Sequence, residues 1–454
     1  MIQLDNMKRI ILFATGVVLF YSATHAQNKQ WSLKDCIEYA LENNIQLQKT
    51  LLNHQQAQED VLQAQAALLP SLSASTNQNV AYRPWVAQGM STVANGYVQS
   101  SVDKVYYNGN YGVNANWTVW NGNQNRNTLK LNRLAAQQAE LDSAETANSI
   151  QEQIARLYVQ ILYSYEAVEV NKQSLATSKK NEERGAEMVK VGKMSKADLA
   201  QLTAQRAQDE YNIVAAESSL KDYKRQLRQV LQITDGQNFD IQIPNSTDEQ
   251  ALSNIPTIAE VYTMAAESRP EIRNSKIAIE SSELNMKIAK AGKLPTIGLN
   301  ASAGTNTTSM SSNAWGRQLK TNFDIGAGVT VSIPLFDNRK TKTAMNKAQL
   351  QRQSALLDLK DKQTQLYSTI ESYWLEAVNN QEKYKAAKVA VEGEKASYDL
   401  LSEQFRLGLK NIVELMNGKD KLLAARQNEL QSKYTTILYQ QMLRFYQGNT
   451  MENL

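Results

Sequence analysis

The chain has 454 residues, 21% of them charged, and a formal net charge of only +4. Charge this evenly balanced leaves no nucleic-acid footprint, and a mean hydropathy of −0.48 is too polar for a bundle of membrane helices. After the first thirty residues no apolar run approaches the ~20 residues of a spanning helix, although barrel strands, whose signal is far weaker, stay open.

In chain order, Lys8 and Arg9 precede the apolar run Ile10 to Tyr21, and Thr24-His25-Ala26 supplies small residues before Gln27. Residues 1–26 read as a signal peptide, with Met7 as good a start as Met1, so export is expected. No cysteine follows the cleavage site to carry a lipid. The one cysteine, Cys36, cannot form an internal disulfide and reads as a small buried residue on a helix.

Ser32 and Asp35 are spaced as a capping box opening a helix that runs to Leu69-Pro70. A segment rich in Ser, Thr, Asn and Ala and then one of period two follow, with strands expected at about 71–82 and 107–120. Over Tyr107 to Val119, Tyr111, Val113, Ala115 and Trp117 fall on one parity and Asn110, Gly112, Asn114 and Asn116 on the other. A long helix is expected from Gly122 to Lys190, a break at Val191-Gly192-Lys193, and a returning helix from Lys196 to Leu231. The polar segment 232–256, with a turn at Thr234-Asp235-Gly236, reads as a linker.

The chain then repeats itself. Thr257 and Glu260 open a helix running to Leu294-Pro295, and Ser32, Asp35 and Pro70 precede Thr257, Glu260 and Pro295 by a constant 225 residues. Strands are expected at about 296–308 and 323–336, with Gly326-Ala327-Gly328 inside the second. A helix from Asn338 to Arg406, a break at Leu407-Gly408-Leu409 and a helix from Ile412 to Gln447 complete the copy. In this half the offset is 216, which places nine extra residues in the first hairpin, between Tyr82 and Tyr107. The repeats thus cover 27–231 and 257–447, and 448–454 is expected to be a flexible tail.

The 69 residues from Asn338 to Arg406 contain no proline and one glycine. As a helix they span about 100 Å at ~1.5 Å per residue. Ile370, Ala377, Tyr384, Val391, Tyr398 and Phe405 recur every seventh position, the mark of a helix held in a left-handed supercoil. Such a rod spans a distance or lines a conduit.

Four amphipathic strands in a bilayer need a closed sheet, because unpaired edge groups find no water there. Membrane barrels start at about eight strands, so several chains would have to share one. A soluble sheet also alternates, and periodicity alone does not choose. The aromatic strand ends and the small polar face favour the wet-lumen reading. No enzyme is expected. His25 belongs to the signal segment, His54 stands alone on a polar helix, and Cys/His metal sites cannot be assembled from these residues. No phosphate-binding glycine motif is present.

The doubled order of helix, Leu-Pro, strand pair, long helix, glycine turn and helix resembles the TolC-type outer-membrane efflux proteins. The resemblance rests on Ala40-Leu41-Glu42-Asn43-Asn44, Ala67 to Leu72, Lys293 to Thr296, Val191-Gly192 with Asp198-Leu199, and Phe405 to Gly408 with Val413-Glu414-Leu415, and covers nearly all of Trp31 to Gln447. It implies a mainly α fold with membrane β: four strands per chain joining a trimeric 12-stranded barrel above a long α-helical, coiled-coil periplasmic barrel. The implied protein is a passive outer-membrane exit channel without cofactors. It works with a periplasmic adaptor (a membrane fusion protein) and an inner-membrane pump of RND or ABC type, in contact with outer-membrane lipid. Carried over residue by residue, Glu414, Asn417 and Lys410 fall at the periplasmic pore constriction, and Gly192, Lys193, Gly408 and Leu409 at helix tips that dock the adaptor. Asn417 stands where the family pattern is usually acidic. Converging Glu414 carboxylates would select for cations, whereas Glu414 taken alone is also an ordinary first-turn helix acid. A protein-secretion or cation-efflux duct of the same fold, and a pore-free secreted coiled-coil scaffold, are the rival readings.

Overall fold

The computed structural model describes residues 30–85, 89–93, 96–100, 104–234, 239–244 and 248–451. The signal segment expected at 1–26 and most of the Thr234-Asp235-Gly236 turn lie outside the described residues.

In the first copy β1 (Gln30–Trp31) leads to α1 (Leu33–Asn43), α2 (Ile45–Ala66) and β2 (Ser71–Tyr82). Strands β3 (Gly89–Val93) and β4 (Gly96–Ser100) pair as a hairpin within the expected insertion. Then come β5 (Val105–Trp120), α3 (Gln124–Lys190), α4 (Lys196–Val230), β6 (Asp240–Ile241) and the short α5 (Asp248–Ala251). The second copy has α6 (Ile258–Ser268), α7 (Pro270–Ala291), β7 (Thr296–Thr308), α8 (Trp315–Thr321), β8 (Asp324–Ser332), α9 (Lys340–Arg406) and α10 (Ile412–Tyr446). Helix lengths match pair by pair: 11 residues for α1 and α6, 22 for α2 and α7, 67 for α3 and α9, 35 for α4 and α10.

The copies are not the compact units of the chain. One unit comprises residues up to Gln48, Thr146–Arg269 and residues from Gln365; the other comprises Lys49–Glu145 and Pro270–Thr364. Each draws on both copies.

The second of these units holds a four-stranded antiparallel sheet in the order β2-β5-β7-β8. Ser71 pairs with Asn116 and Thr296 with Ser332, so α2, α3, α7 and α9 all join the sheet at one end. The entries to the long helices are duplicated: Gly122 and Asn123 have φ of 65° and 65°, and Asn338 and Arg339, 216 residues later, have 50° and 67°. These left-handed residues delay each helix by two residues relative to its expected start. Strand β8 stops at Ser332, short of the expected 336, because Pro334 has no N–H to give the ladder.

The first unit is helical. Ile154, Ile161 and Leu162 of α3, Ile370, Ala377 and Tyr384 of α9, and Ile437, Met442 and Leu443 of α10 are all at most 1% exposed. Five of the six heptad positions, Ile370, Ala377, Tyr384, Tyr398 and Phe405, are buried, with Val391 half-buried. Cys36 is buried on α1. Tyr158 donates its hydroxyl to the Gln242 carbonyl at 2.7 Å beside the parallel β1–β6 pair, and burial pushes its pKa well up.

One expectation needs correction. The single helix expected from Ser32 to Leu69 is broken at Asn44, whose ψ of 121° is extended. Asn44 Oδ1 accepts from the N–H groups of Gln46 (2.9 Å) and Leu47 (3.3 Å), and its Nδ2 donates to the Val230 carbonyl at 3.0 Å. In the second copy Arg269 takes the same bend, with ψ of 132°, before Pro270. Proline excludes helical backbone from the residue before it, and in the first copy the asparagine cap does that work. Gly448, with φ of 90°, follows the last helix, Met451 beyond it is buried, and 452–454 of the expected tail lie outside the described residues.

Candidate functional site

Register sorts the sheet into two chemically distinct faces. Ala74 opposes Val113, which opposes Ala303, which opposes Ile325; Trp117 opposes Leu299, which opposes Val329. One residue along, Ser73, Asn114, Ser302 and Gly326 form an unbroken polar row. The apolar row is open to solvent, with Leu72 76%, Ile325 75% and Val329 66% exposed. A bulge between Thr118 and Trp120 sets Trp120 opposite Ile297, so this tryptophan joins the apolar side that simple alternation would deny it. Strands β2 and β8 each have one partner within the sheet, leaving both sheet edges open.

The helix hairpin ends carry the predicted site residues. Gly192 and Gly408 have φ of 71° and 76°, and a Cβ at either would touch nothing within 4 Å. After them Lys193 N–H donates to the Met188 carbonyl at 2.8 Å and Leu409 N–H to the Gln404 carbonyl at 2.9 Å. This is the same Schellman closure in both copies, and it requires a residue tolerant of positive φ. Val191, Leu407, Leu409 and Val413 around the turns are exposed apolar side chains. Beneath the turns Leu202 of α4, Tyr398 and Phe405 of α9, and Ile412 and Leu415 of α10 form one buried cluster, with Met188 and Met194 against it.

Glu414 is the third residue of α10 and closes a capping box with Asn411: its N–H donates to Asn411 Oδ1 at 2.9 Å and its carboxylate accepts from the Asn411 N–H at 3.3 Å. Lys410 Nζ lies 2.6 Å from Glu414 Oε1. The Lys410 hydrogen bond, seconded by the Asn411 N–H, holds the Glu414 carboxyl below the usual range. Both side chains are exposed. Asn417 and Glu414 line a cleft of about 530 Å³ between α9 and α10, together with Gly393, Glu394 and Lys421. Gly418 lets the two helices close on each other, since a Cβ there would meet Leu401 Cδ1 at 2.7 Å.

Deeper in the same unit lies a group that no sequence motif marks. Lys419 of α10 sets Nζ 2.5 Å from Asp209 Oδ2 of α4, both side chains being buried, and Ser178 of α3 donates to the same oxygen. His54 sets its Nδ1 3.1 Å from the Ala136 carbonyl and its Nε2 2.7 Å from Gln58 Nε2.

The model of the family described as outer membrane efflux protein matches residues 36–231 and 261–449. The outer membrane efflux protein BepC of Brucella suis is 22% identical over 418 residues, covering 90% of this chain and 83% of its own. The alkaline protease secretion protein AprF of Pseudomonas aeruginosa is 21% identical over 98% of this chain and 89% of its own. The crystal structure of the outer membrane protein VceC from Vibrio cholerae shares the fold, with a TM-score of 0.75 at 17% identity, covering 92% of this chain and 97% of that one.

Proposed function

The chain belongs to the outer membrane efflux protein family, and from that premise we propose that it is the exit duct of a tripartite export system. Three copies close their four-stranded sheets into one 12-stranded barrel, and the helices line a periplasmic conduit. The observation that carries this reading is the two-faced sheet with two open edges: an apolar side fit for lipid, a polar side fit for a wet lumen, and edges that must be paired by other chains. The duct itself is passive. It takes cargo from a periplasmic adaptor coupled to an inner-membrane pump of RND or ABC type, and cargo choice rests with the pump. Small compounds are the first reading; the likeness to a protease secretion protein makes exported protein the second.

In this proposal the hairpin ends form the periplasmic mouth. Gly192, Lys193, Gly408 and Leu409, with exposed Val191 and Leu407 beside them, offer an adaptor small apolar knobs on rigid turns. Glu414, Asn417 and Lys410 ring the constriction. The Lys410–Glu414 pair lies within one chain, so each copy brings a neutralised acid to the axis rather than a bare one. The test is planar-bilayer recording of the purified chain. A cation-preferring channel whose conductance rises on Glu414→Ala supports both parts. Unchanged conductance removes Glu414 from the constriction, and the absence of any conductance removes the duct.

A further inference from the structure

Four helices meet the sheet at one end, and the two belonging to the second copy end there in cations. Lys287, Lys290 and Lys293 lie at the close of α7 and just after it; Arg339, Lys340 and Lys342 lie at the start of α9. All six are exposed, and among the described residues none takes part in an ion pair. The two segments are held together, because Thr341 Oγ1 donates to the Gly292 carbonyl at 3.4 Å between them. From Lys287 to Thr296 there is no acid, and from Ser332 to Lys342 there is only Asp337, whose carboxylate is occupied by the Thr341 N–H at 2.8 Å.

The fold does not demand these charges. The duplicated positions of the first copy, at offsets of 225 and 216, are Leu62, Gln65, Leu68, Asn123, Gln124 and Arg126, so five of the six cations face a neutral counterpart. What is charged in one copy and neutral in the other serves something other than chain geometry. Alongside the cations lie apolar side chains left open by the described residues: Ile333 is 59% exposed, Leu335 94% and Phe336 86%. Between α7 and α9, Met286 and Met345 line a groove of about 490 Å³ bordered by Lys287 and Lys290.

We propose that this end of the second copy is a binding surface for anionic phospholipid headgroups. The inference rests on the barrel reading, since that reading puts the apolar sheet face in hydrocarbon. The bilayer's headgroup layer is then about 5–8 Å deep on each side. At ~1.5 Å rise per residue, Lys287 lies about 6 Å back from the end of α7 and Lys342 about 3 Å into α9, while Lys293 and Arg339 stand in the connections to the sheet, so the cations gather just outside the sheet, on the side where the barrel reading puts headgroups. Lysine and arginine at this depth pair with phosphodiesters while their methylene stems lie along the apolar border.

The experiment uses the full chain, purified in detergent and offered phosphatidylglycerol and phosphatidylcholine of identical acyl chains. Retained lipid is counted by native mass spectrometry, and flotation is measured with vesicles of each lipid over a range of salt. The wild type is expected to retain phosphatidylglycerol at least about tenfold over phosphatidylcholine, with the preference fading as salt rises. The quadruple variant Lys290→Gln, Lys293→Gln, Lys340→Gln, Lys342→Gln should lose that preference while still entering phosphatidylcholine vesicles, which shows that it folds. Lys179→Gln with Lys180→Gln, in the other unit, should keep it. Equal retention of the two lipids by the wild type overturns the proposal. So does a quadruple variant whose oligomer falls apart in both lipids alike, which would give the cations to a sister chain. A wild-type chain that enters neither vesicle fails at the barrel reading beneath.

Discussion

Lys419 and Asp209 hold their charges 2.5 Å apart in the interior of the helical unit, with side chains 5% and 1% exposed. Ser178 supplies Asp209 Oδ2 with a further donor, and Asp209 Oδ1 is buried with no hydrogen-bond partner among the described residues. The pair therefore ties α3, α4 and α10 together at a point where each helix could otherwise slide. A buried pair is weak evidence of stability, but breaking one leaves an uncompensated charge.

Lys419→Met should accordingly cost about 3–5 kcal/mol of unfolding free energy, while the double change Lys419→Met with Asp209→Leu should recover most of the loss. Denaturant titration followed by helical circular dichroism reads both. A double variant as unstable as the single one would mean that packing volume, not stranded charge, sets the cost.

The bends at Asn44 and Arg269 are one structural event written in two residue vocabularies. Ile45 occupies in the first copy the place of Pro270 in the second, and Asn44 already has the extended backbone that a following proline requires. Ile45→Pro is therefore expected to stabilise the chain by about 0.4–1 kcal/mol, because it restricts only the unfolded state. In that background Asn44→Ala should cost less than the ~1 kcal/mol expected for losing the cap from the wild type. Thermal unfolding of the wild type and the three variants closes the cycle, and strict additivity would show that the two devices do not substitute for one another.

That bend also marks where sequence reading stops. The heptads of α9, the parity of β5 and the doubled glycine turns were legible because each is a period or a repeat, and a period survives without knowledge of what it packs against. The Ser32–Asp35 and Thr257–Glu260 boxes were legible for the same local reason, and both form as read. The break at Pro270 is written in the chain, but the surrounding residues favour helix on both sides and mask it. Lys419 and Asp209, 210 residues apart, carry no local signal at all. Nor do α8, the β1–β6 pair and the bulge before Trp120, which depend on what the chain meets after folding. Of the residues expected at the mouth, the turn glycines were identifiable from conformation alone, whereas the pairing of Glu414 with its own Lys410 became visible only in three dimensions.

The pairing has a pH signature. Hydrogen bonds from Lys410 and then from the Asn411 N–H depress the Glu414 pKa. For a depressed acid, the favourable contribution is present above the unfolded-state pKa and is lost as pH falls through the lower folded value. Glu414 should thus stay ionised to more acidic pH than a free glutamate, and Lys410→Met should move its titration upward toward the ordinary carboxylate range. In bilayer recordings the same variant should increase cation preference at neutral pH, because the acid loses its neutralising partner, and the pH at which that preference disappears gives the Glu414 titration. A midpoint that Lys410→Met leaves unmoved would show that the pair does not persist in the assembled channel.

The sheet offers the sharpest test, because neighbouring residues on one strand should respond in opposite ways. Val113 stands between Ala74 and Ala303 on the apolar face; Asn114 stands between Ser73 and Ser302 on the polar one. If the apolar face meets lipid, Val113→Arg puts a cation into hydrocarbon at a cost of about 2–4 kcal/mol near the bilayer midplane, for each copy in the barrel. Asn114→Arg places the same group in a wet lumen, where it keeps its water and costs little. The expected result is outer-membrane yield and heat resistance that collapse for Val113→Arg and hold for Asn114→Arg, with the latter channel turning toward anions. A soluble two-faced sheet would tolerate the arginine at 113, where Val113 is already 43% exposed, so equal yields from the two variants would count against the membrane assignment itself.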